Sequence, residues 1–263
     1  MAFETLNGLR IHTQVLGRQE GPVRVVFLHG LVMDNLSSWY FTFANPVAQD
    51  HKVLLYDMRG HGRSERPASG YRLDDFVAEL AALLEHHAGD SPVTLVGNSF
   101  GGLLALAYAL AYPNRTAGVC LIEAHANVQG WGDEMAATLL QQGDQARATV
   151  ATHFENWLGR HSERKKNRLA ENAKQLIYET SLVADLQATP ELDARALTRL
   201  PQPVLALYGE TSDIRARGEA LAAQLPNAEL HIFSDCSHSI MWEATDKVRT
   251  ALTEWLSHTT QEV

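Results

Sequence analysis

The chain has 263 residues, room for one large α/β domain or two small ones, and its 45% hydrophobic and 20% charged residues read as an ordinary soluble globular protein. Its net charge of -9 argues against nucleic acid or an anionic membrane as partner. Two cysteines, Cys120 and Cys236, cannot build a disulfide framework and suit a reducing, cytoplasmic setting.

The start, "MAFETLNGLR", lacks a basic segment followed by an apolar one, so no secretory signal is expected. Phe3 to Leu16 reads as a hairpin turning at Asn7-Gly8. Short apolar runs follow at 23–30, 52–57, 93–98, 117–124 and 203–210, with "AELHIF" at 228–233 as the last. Continuous apolar runs of this length suit strands covered on both faces. Between them the period lengthens. Leu73, Phe76, Val77, Leu80 and Leu84 form one stripe of a helix over 73–87. "GGLLALAYALAY" predicts a helix that starts near Phe100 and stops before Pro113, and it falls short of the roughly 20 residues a bilayer demands. Later helices are expected over 218–225 and 246–256. The alternation predicts an α/β fold with a mostly parallel sheet and helices on both faces.

From about His125 to Leu200 no strand pattern appears. Val150, Phe154, Trp157 and Leu158 make one helical stripe, and Leu169, Ala173, Leu176 and Ile177 another. The expected organisation is a core of residues 1–124 and 201–263, interrupted by a helical insertion over 125–200.

The pattern Gly97-x-Ser99-x-Gly101 falls between a predicted strand and a predicted helix. A turn that tight lifts a serine hydroxyl above the sheet edge, with the helix N-terminus aimed at the same spot. A serine needs a base, and the base needs an orienting acid. His238 follows the last strand, in a loop at the carboxyl end of the sheet, where such folds gather their functional groups. Asp213, just past the strand over 203–210, is the first choice of acid. Glu123, after the strand over 117–124, is the runner-up, and Glu210 comes too early in its loop. Gly30 lets the next amide turn toward the serine, so the backbone N–H groups of Leu31 and Phe100 are the expected oxyanion donors. His29 reads as structural.

These residues carry a resemblance. His29-Gly30, "YDMRGHGRSERP" (56–67), "GNSFGG" (97–102), "YGETSD" (208–213) and "CSHSIMWE" (236–243) together resemble the α/β-hydrolase fold superfamily along nearly the whole chain. The order Ser99, Asp213, His238 matches that superfamily. The resemblance implies a cap for the segment 125–200 and a structural role for Asp57, Arg59 and Ser64. "GNSFGG" is similar to the elbow of the meta-cleavage C–C hydrolases, but their "SGPG"-like loop is replaced by "HGLVMDN". Serine in place of aspartate speaks against epoxide hydrolase and haloalkane dehalogenase chemistry.

The expected activity is cofactor-independent hydrolysis of an ester, lactone or thioester of a small-to-medium apolar acid. C–C bond hydrolysis, acyl transfer and a non-enzymatic small-molecule receptor are the alternatives. A small molecule is the expected partner. The basic stretch "GRHSERKKNR" (159–168) is read as a solvated helix face, though it would suit an acidic substrate or carrier protein. Trp131, Met135, Phe154 and Trp157 are read either as pocket lining or as cap packing. Of Met241 and Trp242, one is expected to face the pocket and the other to pack beneath the final helix. Asp34 either binds a polar substrate group or lies on the surface. His86 and His87, adjacent on a helix, are expected to diverge and not to share a metal. No metal or nucleotide motif is present.

Overall fold

The computed structural model describes residues 2–142 and 162–259. Eight strands form one sheet in the order β1-β2-β4-β3-β5-β6-β7-β8. They are β1 (Ala2–Leu6), β2 (Leu9–Leu16), β3 (Val25–Leu28), β4 (Val53–Tyr56), β5 (Val93–Asn98), β6 (Thr116–Ile122), β7 (Val204–Gly209) and β8 (Ala228–Phe233). β1 and β2 make the predicted hairpin, with Asn7 at φ 50° and Gly8 at φ 81°, the backbone an Asn-Gly turn supplies without strain. β2 also runs antiparallel to β4, and every later pairing is parallel.

The apolar runs are continuous because each strand feeds two cores. Val26 and Leu28 of β3, with Leu54, Tyr56 and Leu95, pack on one face. Val25 and Phe27, with Val53, Leu55 and Val96, pack on the other. The period of two thus sends alternate residues to opposite layers of helix. The first layer holds α2 (Leu73–Ala88) and α3 (Phe100–Ala111). The second holds α1 (residues 37–47) and α10 (Thr245–Thr259). α3 is buried on nearly every side, which its Gly, Ala and Leu content permits.

α1 is a helix the sequence pattern does not announce. Asn35, Asn45 and Pro46 read as loop signals. Trp39, Phe43 and Val47 recur every four residues, however, and their burial under the sheet holds the segment helical. A π-helical turn at Tyr40–Ala44 lies just ahead of Pro46, which has no N–H to donate.

Between β6 and β7 the described residues contain helices and no strand. These are α4 (Trp131–Leu139), α5 (Glu163–Tyr178), α6 (Leu182–Gln187) and α7 (Ala194–Leu197). Of the expected stripe, Leu169, Ala173 and Leu176 are buried, and Ile177 is half-buried. The stripe of Val150, Phe154, Trp157 and Leu158 lies outside the described residues. α8 (Arg215–Gln224) and the short α9 (Ile240–Glu243) complete the chain. Among the described residues, no helix is long and apolar enough to cross a membrane.

Candidate active site

β5 ends at Asn98, and α3 begins at Phe100. Ser99 is the single residue between them, at φ 52° and ψ -119°. Such a conformation costs a non-glycine residue on the order of 1–3 kcal/mol, so its surroundings must impose it. Ser99 N–H donates to Ile122 O at 2.9 Å, tying the turn to β6. The flanking glycines are demanded by space. A Cβ on Gly101 would stand 2.1 Å from Leu28 O, and one on Gly97 would stand 2.3 Å from the Gly101 carbonyl carbon. No side chain fits at either position, which is why a strand, one serine and a helix can follow without a loop.

Ser99 opens into a cavity of about 640 Å3 that also reaches Leu31, Phe100, Glu123, Asp213 and His238. Among the described residues, neither the Leu31 nor the Phe100 amide donates to another protein group. The loop carrying Leu31 is held from behind by two buried histidines. His61 accepts Val32 N–H at 2.7 Å through Nε2 and donates from Nδ1 to Arg59 O at 2.8 Å. His29 accepts Met58 N–H at 3.0 Å and donates to Gly30 O at 2.7 Å. An amide can only donate and a carbonyl can only accept, so both tautomers are fixed. Burial, reinforced by the neighbouring His29, pulls the His61 imidazole down to about 3, so it stays neutral.

Asp34 lines the cavity, yet its carboxylate is occupied: it accepts Gly30 N–H and Asn35 N–H, each at 2.8 Å. It is buried rather than on the surface, and it shapes the loop. Asp57 accepts Leu36 N–H and Arg63 N–H at 2.9 Å and pairs with His12 at 2.7 Å. Arg59 pairs with the buried Glu79 at 3.1 Å, and Ser64 donates to Asp57 O. These three residues join the loops beneath the cavity to one another.

His238 sits between two carboxylates. Its Nδ1 is 3.3 Å from Glu123 Oε2 and 3.5 Å from Asp213 Oδ1. The two acids differ in kind. The Asp213 side chain is 58% exposed, whereas that of Glu123 is fully buried. Glu123 also has a positive φ of 49°, and its own N–H donates to Leu207 O at 3.0 Å. Its Oε1 accepts Gly209 N–H at 2.5 Å, and its Oε2 accepts the Ser212 hydroxyl at 2.6 Å. Ser212, next to Asp213, has no signal of its own in the sequence. Burial pulls the His238 imidazole down, but the carboxylates of Asp213 and Glu123 outweigh it and push it up to about 9.

The cavity roof comes from α4 and α5. Trp131 and Met135 line it, whereas Phe154 and Trp157 lie outside the described residues. Met241 and Trp242 both reach the cavity, so the expected division between them does not hold. Met241 is buried in the second core layer as well, and Trp242 packs against Met33, Leu169 and Ala173. A single turn of helix at α9 lets both reach the same space. Of the basic stretch over 159–168, the first three residues lie outside the described set. Lys166 pairs with Glu163 at 2.7 Å and, with Asn167, borders the cavity. Arg217 of α8 grips Glu134 of α4 with two bonds of 2.7 and 2.9 Å at the cavity rim.

The family model described as "alpha/beta hydrolase fold" matches residues 23–245. The chain belongs to the alpha/beta hydrolase family. The chain is therefore an enzyme of the hydrolase class. It is 25% identical to a proline iminopeptidase of Thermoplasma volcanium, over 97% of this chain and 95% of the relative. It is 27% identical to a 2-hydroxy-6-oxononadienedioate/2-hydroxy-6-oxononatrienedioate hydrolase of Burkholderia vietnamiensis, over 94% of this chain and 91% of the relative. Among solved structures, Est816, described as an N-acyl homoserine lactone degrading enzyme, superposes with a TM-score of 0.69 at 26% identity. That match covers 96% of this chain and 99% of Est816.

Proposed function

We propose that this alpha/beta hydrolase cleaves a carboxylic ester, lactone or thioester through an acyl-enzyme on Ser99. One observation carries the reading: a serine forced into a strained strand–helix turn shares a cavity with a histidine held between two carboxylates. Ser99 Oγ attacks the carbonyl carbon while His238 takes its proton. The oxyanion forms between the amides of Leu31 and Phe100, donors worth about 10²–10³ in rate apiece. His238 then passes the proton to the departing oxygen or sulfur, leaving the acyl group on Ser99. Water, deprotonated by His238, attacks that ester, releases the acid and returns the proton to Ser99. Asp213 and Glu123 together steady the imidazolium, and the sequence-level choice of Asp213 alone becomes a shared role. The described helices between β6 and β7 act as a cap, and their apolar lining suits a medium-sized apolar acyl group. The reading calls for no cofactor.

A second reading, C–C bond hydrolysis of a ring-fission dienone, is favoured by the full-length similarity to the Burkholderia relative. The loop "HGLVMDN" weighs against it. A fluorophosphonate probe is expected to label wild type and to leave Ser99→Ala unlabelled. Labelling of the alanine variant would remove Ser99 from the mechanism. A substrate panel of graded p-nitrophenyl esters, a lactone, a thioester, a dienone and a prolyl amide then ranks the reactions. Turnover of the dienone above all esters would replace the first reading with the second. Binding without any turnover would favour a receptor.

A further inference from the structure

On the opposite side of the sheet from β8, three donor groups meet that the proposed hydrolytic site does not use. The sequence reading expects His86 and His87 to diverge, but the structure brings both to one carboxylate. His87 Nε2 lies 2.9 and 3.0 Å from the two oxygens of Glu4, and His86 Nε2 lies 4.0 Å from Glu4 Oε2. All three donor atoms fall within 4.8 Å of one another. The two rings stand at 90° with centroids 4.9 Å apart, so two adjacent helical residues aim at one point. Divergence fails because this is the last turn of α2, where β1 lies alongside and draws both side chains toward Glu4.

We infer that Glu4, His86 and His87 form a binding site for a divalent transition-metal ion of the zinc, copper or nickel type. Two imidazoles and one carboxylate suit these ions and not magnesium or calcium, which take oxygen ligands. A zinc ion sits about 2.0–2.2 Å from such donors, so its ligands stand roughly 3.4 Å apart in a tetrahedron. Glu4 and His87 already approach that spacing and are largely buried, with side chains 16% and 15% exposed. The His86 side chain is 68% exposed and is free to swing inward by the remaining distance.

The surroundings favour a cation. Both histidines lie in the final turn of α2, the partially negative end of the helix. Thr13 Oγ1 donates to Glu4 Oε1 at 2.6 Å, orienting the carboxylate as outer partners do at metal sites. The His87 carbonyl accepts Val23 N–H at 3.0 Å, which anchors the helix end. Binding would staple the edge hairpin to α2. β1 lies four strand positions from β5, or roughly 19 Å at the usual strand spacing, so the ion would not touch Ser99.

The test is thermal unfolding of the full chain under increasing zinc chloride. Wild type is expected to gain about 5 °C or more at saturation and to lose the gain on adding EDTA. His86→Ala, at an exposed position that leaves the fold intact, is expected to abolish the gain, as is His87→Gln. Titration calorimetry should give one zinc per chain in wild type and none in His86→Ala. An unchanged Tm in wild type, or the same rise in His86→Ala, would overturn the site. None of these readouts depends on hydrolysis.

Discussion

His238 carries the sharpest chemical consequence at the scale of single residues. In the proposed mechanism His238 is the base, which must be neutral to act, and two carboxylates hold its imidazole up to about 9. The rate constant kcat/KM should therefore rise with pH through the neutral range and level off near that value. Asp213→Asn removes one carboxylate, so its profile should shift to lower pH. Glu123→Gln should lower kcat more than Asp213→Asn, because Glu123 is the nearer and the buried acid. Steady-state profiles of both variants check this, and an inactive Asp213→Asn beside an unimpaired Glu123→Gln would reverse the assignment. The same shift has a stability side. The folded pKa lies above the unfolded one, so the stabilisation is complete below about 6.5 and fades as pH climbs through 9. Ser99 offers a second test. Glycine tolerates its φ of 52° and alanine does not, so Ser99→Gly should be more stable than Ser99→Ala by about 1 kcal/mol. Denaturant melts would show it, and equal midpoints would mean the turn stores no strain.

Among elements, the loop between β3 and α1 is where architecture becomes chemistry. It is fastened by His61 to Val32, by Asp57 to Leu36 and by Asp34 to Gly30. These contacts fix the backbone on both sides of Leu31, whose amide is a proposed oxyanion donor. His61→Leu removes the acceptor for Val32 N–H. It should cut kcat by about 10–100-fold with little change in KM, somewhat less than the loss of an oxyanion donor. A matching rise in KM would instead place His61 in substrate binding. The loop was half legible beforehand. His29-Gly30 marked its start, and the resemblance assigned Asp57 a structural role. The His61–Val32 contact had no signal, because it joins residues far apart in sequence. α1 was not legible for a related reason: its local signals favour a loop, and only burial of Trp39, Phe43 and Val47 overrides them.

At the scale of the whole molecule, two apolar layers hold the described residues together, and no disulfide joins Cys120 to Cys236. Cys120 and Cys236 are both free and buried, so reductant should leave the Tm unchanged. A fall in Tm with dithiothreitol would reveal a bond between chains. The Arg217–Glu134 pair joins α8 to α4, but its members are 42% and 54% exposed. Such pairs contribute no more than about 1 kcal/mol, so Arg217→Ala should shift the Tm by less than about 4 °C. Because the pair stands at the cavity rim, the same variant should alter KM for bulky acyl groups before it alters stability. Calorimetry and an acyl-length series read the two effects separately.

The sequence by itself determined the layers, the strand succession with most of the flanking helices, and the tight turn at Ser99. Each rests on local rules: period, turn chemistry and the space a glycine frees. It also put Asp213, Glu123 and His238 at the carboxyl ends of strands, where a parallel sheet collects them. Tertiary structure alone decided which acid lies nearer the imidazole. Strand order sets β6 beside β7, and this brings Glu123 under Ser212 and His238. It decided likewise that His86 and His87 converge, since their common target belongs to a strand more than 80 residues away in the chain. Local pattern fixes what a residue can do; only packing fixes what it meets.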